Sequence, residues 1–276
     1  MLSSPTGTHH IRLSPFALKH SASSSSPISR EDSFTLLEFL LVVAIIATLM
    51  VFLAPAFTNI KTAAEITNAA YIVKGALEQA RTYSVINSTY TWVGFFEENG
   101  SSSPTSPATP GAGRVVVSTV ASMDGTIAYQ QPVSSPTAPM DPGRLIQVTR
   151  LIRLDNVHLR TFPNGSGAGD GDKFLTRPPI PGNFPDNAKI GDTSPPDSLR
   201  PFQYPVGNAS TAAQYIFVKM IEFSPRGEAR VNNNNYAIRA FLEIGLQSVR
   251  GPVLDDTKGC AIQVAGLSGN TRVFQP

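Results

Sequence analysis

Residue types that can perform catalysis or bind metals do not occur at useful spacings in this chain of 276 residues. The histidines lack the spacing of metal ligands. They are His9, His10, His20 and His158. Asp170 and Asp172 lie in a glycine-rich stretch, but no glutamate follows at EF-hand spacing, so a solvated loop is the simpler interpretation. No phosphate-binding loop, nucleophile elbow or cysteine–histidine pair occurs. The sequence therefore predicts a protein that is not an enzyme, with no cofactor and no metal.

Glu38 is the most informative residue, because this carboxylate borders a long apolar segment. Residues 39–60 contain no charged side chain. As a helix, this segment would span about 33 Å, which is enough to cross the hydrocarbon core of a bilayer. A carboxylate at the head of such a helix is costly unless it is interfacial or paired. Two interpretations stay open: a functional pairing of Glu38, or an interfacial side chain favoured by the helix dipole.

Three interpretations compete for the processing of this segment. A secretory signal peptide would be cut before Phe57, after the small-residue pattern Ala-Pro-Ala of residues 54–56. The apolar stretch is longer than a usual signal core, however, and the helical pattern continues past that cut. An uncleaved anchor would explain the hydrophobicity but not the position of Glu38. The third interpretation, a cut before Phe34, depends on a sequence resemblance.

Residues 33–47, SFTLLEFLLVVAIIA, resemble the N-terminal processing and methylation motif of type IV prepilins. In that family a membrane-bound prepilin peptidase cuts before the phenylalanine and methylates the new amine. The resemblance implies a processing site between Ser33 and Phe34 and removal of a leader of residues 1–33, although Ser33 stands where the family usually has glycine. It also implies that Glu38 supports subunit assembly by meeting the N-terminal amine of a neighbouring subunit.

A second helical part follows the transmembrane helix segment predicted for residues 34–60. Its apolar residues recur every three or four positions. They are Ile66, Ala69, Ala70, Val73, Ala76, Leu77 and Ala80. Charged residues lie between them, so an amphipathic continuation over residues 61–88 should pack on a globular domain. Pro55 lies where pilin helices commonly carry a proline, and we expect a helix kink there because proline has no amide proton.

Residues 89–276 are predicted to form a β-rich globular domain with long Pro-, Gly- and Ser-rich loops. Its strands are predicted at residues 90–96, 114–120, 126–130, 145–159, 215–223, 236–246, 260–265 and 271–274. Alternation in residues 236–246, with Arg239 and Glu243 on one face, favours a half-buried antiparallel sheet. The predicted fold class is α+β, in which a long N-terminal helix, transmembrane and then amphipathic, packs on a C-terminal antiparallel sheet domain as in pilins.

The C-terminal third is similar to the ending of GspH/FimT-type minor pseudopilins. The similarity lies in IEFSPRG at residues 221–227 and in AIQVAGLSGNTRV at residues 261–273. Gly227 and Gly269 are predicted to take positive φ in turns. The whole layout also resembles the pilin-like family called Verru_Chthon cassette protein D.

These resemblances imply a minor pseudopilin, a structural subunit of a type II secretion or type IV pilus-like filament. Its partners would be a prepilin peptidase, other pilin-like subunits and inner-membrane lipid. It would be a single-pass protein of the bacterial inner membrane with its globular domain on the periplasmic or extracytoplasmic side. A formal charge of +2 shows no excess of basic residues of the kind that nucleic-acid-binding proteins carry. Because Cys260 is the lone cysteine, the chain cannot form an intramolecular disulfide. The alternative is a membrane-tethered β domain that binds a surface or secreted partner.

Overall fold

The chain forms two compact units, Met1–Val51 and Phe52–Pro276. The computed structural model describes residues 35–126, 140–165, 174, 176–183, 185–193, 198, 200–207, 212–231, 237–250 and 253–276, without the side chains of residues 52–62 and 253–257. The predicted leader, residues 1–33, lies outside the described residues, as do Asp170 and Asp172.

Helix α1 runs from Leu36 to Ile86 and has different surroundings in the two units. In the first unit, all the described residues 35–51 are exposed. In the second unit, the apolar face predicted from the sequence is confirmed: its seven residues, from Ile66 to Ala80, are at most 4% exposed and belong to the main core. The helix ends at Ile86, and Ser88, with a φ of 49°, turns the chain toward the first strand.

Thirteen strands occur in the described part of the chain. They are β1 (Thr91–Asn99), β2 (Gly113–Ser122), β3 (Leu145–Gln147), β4 (Ile152–Asp155), β5 (Val157–Leu159), β6 (Lys189–Ile190), β7 (Phe202–Tyr204), β8 (Tyr215–Phe217), β9 (Lys219–Phe223), β10 (Ala229–Val231), β11 (Phe241–Arg250), β12 (Val253–Ala265) and β13 (Thr271–Phe274). The region predicted as one strand over residues 145–159 is therefore three short strands, the one predicted over residues 215–223 is two, and β6, β7 and β10 were not predicted. Of the strand predicted at residues 126–130, residues 127–130 lie outside the described residues.

The strands form three sheets. The largest has the order β10-β9-β1-β2-β3, with β4 also paired to β2. The second has the order β13-β12-β11-β5, with β6 beside β11 as the one parallel pair among the described strands. Strands β7 and β8 form a separate antiparallel pair.

Two cores lie on opposite faces of the six-stranded sheet. Val93 and Phe95 point into the main core with the second part of α1, whereas Trp92 and Val116 point into a second core with Phe202 of β7. Successive side chains of a strand alternate between faces, so both faces of β1 are covered. The short β7–β8 pair supplies the cover on the second face.

The predicted fold class, α+β with a transmembrane and then amphipathic helix packed on one antiparallel sheet domain as in pilins, is wrong. Mostly antiparallel strands in three sheets dominate the described chain, and its other helices are two short 3-10 turns, Pro142–Arg144 and Pro185–Ala188. Within the described residues, no helix has the length and apolarity needed to cross a bilayer. The strand on which the half-buried sheet was predicted, β11, is instead buried at every position from Leu242 to Val249, so both of its faces are covered.

Candidate functional site

The N-terminus of α1 is capped by reciprocal hydrogen bonds between Thr35 and Glu38. The amide of Thr35 donates to Glu38 Oε2 at 2.9 Å, and the Thr35 hydroxyl donates to the same oxygen at 3.0 Å. The amide of Glu38 donates in turn to Thr35 Oγ1 at 3.2 Å. This is a capping box, in which two side chains satisfy amides that the helix leaves without partners. A structural role therefore exists for Glu38 within its own chain.

The capping box leaves Glu38 accessible. The residue is exposed, and its Oε1 has no hydrogen bond among the described residues. One carboxylate oxygen thus holds the helix start while the other is open to a cation. The capping role was not predicted from the sequence, and it is compatible with both interpretations left open there, a functional pairing and an interfacial side chain favoured by the helix dipole.

An apolar helix surface lies on both sides of Glu38 in the sequence, between Leu36 and Val51. It consists of twelve large side chains between 43% and 78% exposed: Leu36, Leu37, Phe39, Leu40, Leu41, Val42, Val43, Ile45, Ile46, Leu49, Met50 and Val51. Exposed apolar patches of this kind mark sites of contact with proteins or membranes. The surface surrounds the helix instead of forming one stripe, which is typical of a helix with apolar surroundings on every side.

The other predicted site residues are not tested by the structure. Ser33 and Phe34, the predicted processing site, lie outside the described residues. The helix backbone continues through Pro55, but the side chain of Pro55 is not among those described, so the predicted kink stays a prediction.

A partly buried cluster of charged residues around His158 was missed by the sequence interpretation. His158 lies on β5 and is only 8% exposed. Its Nδ1 is 2.6 Å from Glu97 Oε1 on β1, and its Nε2 is 3.7 Å from Asp192 Oδ2. Arg160 donates to the same Asp192 oxygen at 3.0 Å. Because β1 and β5 belong to different sheets, the cluster links the six-stranded sheet to the five-stranded sheet.

The charges of the cluster favour a protonated histidine. Burial by itself lowers the pKa of His158, but the hydrogen bond to Glu97 and the charges of Glu97 and Asp192 outweigh it and raise the pKa. For Asp192, burial raises the pKa, while hydrogen bonds from Thr161 and Thr193 and the charge of Arg160 lower it overall. No described group of histidines, cysteines and carboxylates is arranged to hold a metal ion. The geometry is that of a cluster of ion pairs that holds the two sheets together.

A second buried ion pair lies on β11. Arg177 Nη1 donates to Glu243 Oε1 at 2.6 Å, and both side chains are 2% exposed. Gln263 Nε2 donates to Glu243 Oε2 at 2.9 Å. The sequence pattern placed Glu243 on the polar face with Arg239 but gave no sign of Arg177, which is 66 residues away.

Comparisons with known proteins provide no relative from which a role could be transferred. No protein-family model matches the chain, and neither a curated protein nor a solved structure matches it. Function must therefore be inferred from the residues and the geometry of this chain.

Proposed function

We propose that the protein is a minor pilin-like structural subunit, processed by a prepilin peptidase between Ser33 and Phe34, that joins a type II secretion or type IV pilus-like filament through the first part of α1. The observation that carries the proposal is the apolar helix surface with an accessible carboxylate at its head. The proposal depends on this segment and not on the architecture of the β sheets.

Exposure of the apolar helix surface to water is energetically unfavourable. Burying one large apolar side chain contributes about 1.5–3 kcal/mol, and this surface carries twelve of them. Lipid of the bacterial inner membrane would cover the surface before assembly, and helices of other pilin-like subunits would cover it afterwards. The strand-rich unit would then lie on the periplasmic or extracytoplasmic side.

Processing would create an N-terminal ammonium group that can pair with the Glu38 carboxylate. Cleavage before Phe34 creates an ammonium group one residue before Thr35, whose amide already contacts the Glu38 carboxylate. In apolar surroundings an isolated charge is strongly unfavourable, and an ammonium–carboxylate pair removes two such charges together. The N-terminal amine of a neighbouring subunit would be the partner of Glu38 in the filament.

Mass spectrometry of the mature N-terminus tests the processing step. The full chain would be expressed with a prepilin peptidase, and in parallel with a catalytically inactive form of that peptidase. We expect a chain that begins at N-methylated Phe34 only with the active peptidase. A chain beginning at Phe57, or an intact chain beginning at Met1 beside the active peptidase, would contradict the proposal and favour a secreted or merely tethered β domain.

A further inference from the structure

A cavity of about 230 Å³ lies beside the hairpin of β12 and β13. Its lining includes Phe241, Gln263, Ser268, Asn270, Arg272 and Phe274. Neighbouring residues of the same strands, such as Leu242 and Val264, belong to the main core. Because side chains alternate along a strand, most of the lining lies on the face of the five-stranded sheet that points away from this core, while Phe241 also packs against the core.

Arg272 gives the cavity a positive charge. It is exposed and forms no hydrogen bond or ion pair with any described residue. It pairs in register with Gln263, which is hydrogen-bonded to Glu243. The carboxylate of Glu243 is already bound by Arg177 at 2.6 Å, so it does not neutralise Arg272. A planar guanidinium in this position suits a carboxylate.

Gln263 supplies a hydrogen-bond acceptor. Its amide nitrogen donates to Pro178 O at 2.8 Å and to Glu243 Oε2 at 2.9 Å. Both of these partners are acceptors, so they fix which way the amide is oriented. The remaining atom, Gln263 Oε1, is buried and has no hydrogen-bond partner among the described residues. This oxygen is shielded from solvent, so a ligand hydroxyl would have to displace neighbouring atoms in order to donate to it and remove the cost of the unsatisfied acceptor.

We propose that this cavity binds a single acidic sugar unit of a glycan. The sugar carboxylate would pair with Arg272, and a hydroxyl would donate to Gln263. The apolar face of the ring would lie against Phe241 and Phe274. The volume is below the usual range of ligand pockets, about 300–1,000 Å³, which suits one sugar unit better than a longer ligand. This inference is independent of the function proposed for the N-terminal helix.

Titration of the purified full chain with glucuronic acid, followed by ligand-observed NMR, tests the proposal. Glucose has the same ring without the carboxylate and is the matched control ligand. We expect glucuronic acid to bind the wild type, and we expect both glucose with the wild type and glucuronic acid with the Arg272→Gln variant to bind at least about tenfold more weakly. The matched control variant is Arg226→Gln, which removes an exposed arginine outside the cavity and should bind as the wild type does.

Arg272 is exposed, so Arg272→Gln should unfold at the same temperature as the wild type, which separates lost binding from lost folding. Equal affinity of wild type and Arg272→Gln would overturn the proposal, as would a wild type that binds neither sugar. Binding of an acidic aromatic dipeptide without binding of glucuronic acid would overturn it in favour of a peptide site.

Discussion

The apolar residues in the two parts of α1 differ in their exposure to solvent. Between Leu36 and Val51, twelve large apolar side chains are at least 43% exposed, whereas between Ile66 and Ala80 the seven residues of the apolar face are at most 4% exposed. The second part has one apolar stripe with alanines that allow close approach to the sheets, and its own domain covers that stripe. The first part is apolar on all sides. Burial within the second unit thus explains one part of the helix, and the other part requires surroundings outside it.

The largest expected effect comes from truncating equivalent leucines in the two parts. Leu77→Ala should lower the free energy of unfolding of the strand-rich unit by about 2–5 kcal/mol, because Leu77 is fully buried and its loss leaves a cavity. Leu41→Ala, the matched control in the exposed part, should change it by no more than about 0.5 kcal/mol. Denaturant unfolding in detergent measures both values. Equal losses of unfolding free energy in the two variants would contradict the conclusion that only the second part of α1 is buried in the strand-rich unit.

The His158 cluster should make the stability of the second unit depend on pH. The folded state raises the pKa of His158 above its ordinary value of 6.5, so the folded state binds the proton more tightly than the unfolded state does. The resulting stabilisation is complete below pH 6.5 and is lost as the pH rises through the raised pKa. Relative to wild type, His158→Gln should lose about 1.5–3 kcal/mol below that window and less above it. A loss independent of pH between acidic and mildly alkaline buffers would show that His158 is neutral in the fold.

Two substitutions at Glu38 separate capping from charge pairing. Glutamine can replace glutamate in a capping box, so Glu38→Gln keeps the helix start and removes only the charge. If the carboxylate pairs with an amine, both Glu38→Gln and Glu38→Ala should reduce filament incorporation by about tenfold or more while membrane insertion is unchanged. Incorporation would be measured as the fraction of subunit in sheared filaments. Normal incorporation of Glu38→Gln together with failure of Glu38→Ala would mean that Glu38 acts as a cap alone.

The smallest effect is expected at the other half of the capping box. Thr35→Ala removes the side chain that accepts from the amide of Glu38, at a local cost of about 1 kcal/mol. Amide hydrogen exchange should be faster in the first turn of α1, and the global unfolding of the strand-rich unit should be unchanged. A change in global unfolding would indicate that the helix start and the strand-rich unit are energetically coupled.

Local features of this fold were predictable from the sequence, and features that depend on distant partners were not. The apolar face from Ile66 to Ala80 was predicted because helical periodicity depends on neighbouring residues alone. The positive φ values of Gly227 and Gly269, 81° and 66°, likewise follow from local turn chemistry.

The sheet arrangement was not predictable, because pairing joins segments that are far apart in sequence. Strand β1 pairs with β9, more than a hundred residues later, and the cover on its second face comes from β7 and β8. His158 meets Glu97 across 61 positions, and no local spacing indicates that contact. Glu38, in contrast, lies in the first turn of α1, beside the apolar segment that drew attention to it, and its role in assembly stays a proposal.

Site-specific photo-crosslinking tests most directly the claim that the first part of α1 is the assembly surface. A photoreactive residue would replace either Leu41 in the exposed apolar part or Thr82, which is exposed in the second part. In cells with active prepilin peptidase, we predict that the Leu41 position crosslinks to pilin-like subunits, and to lipid when the peptidase is inactive, whereas the Thr82 position does neither to the same extent. Crosslinks to subunits from Thr82 but not from Leu41, or no crosslink to either lipid or subunits from Leu41, would contradict the account.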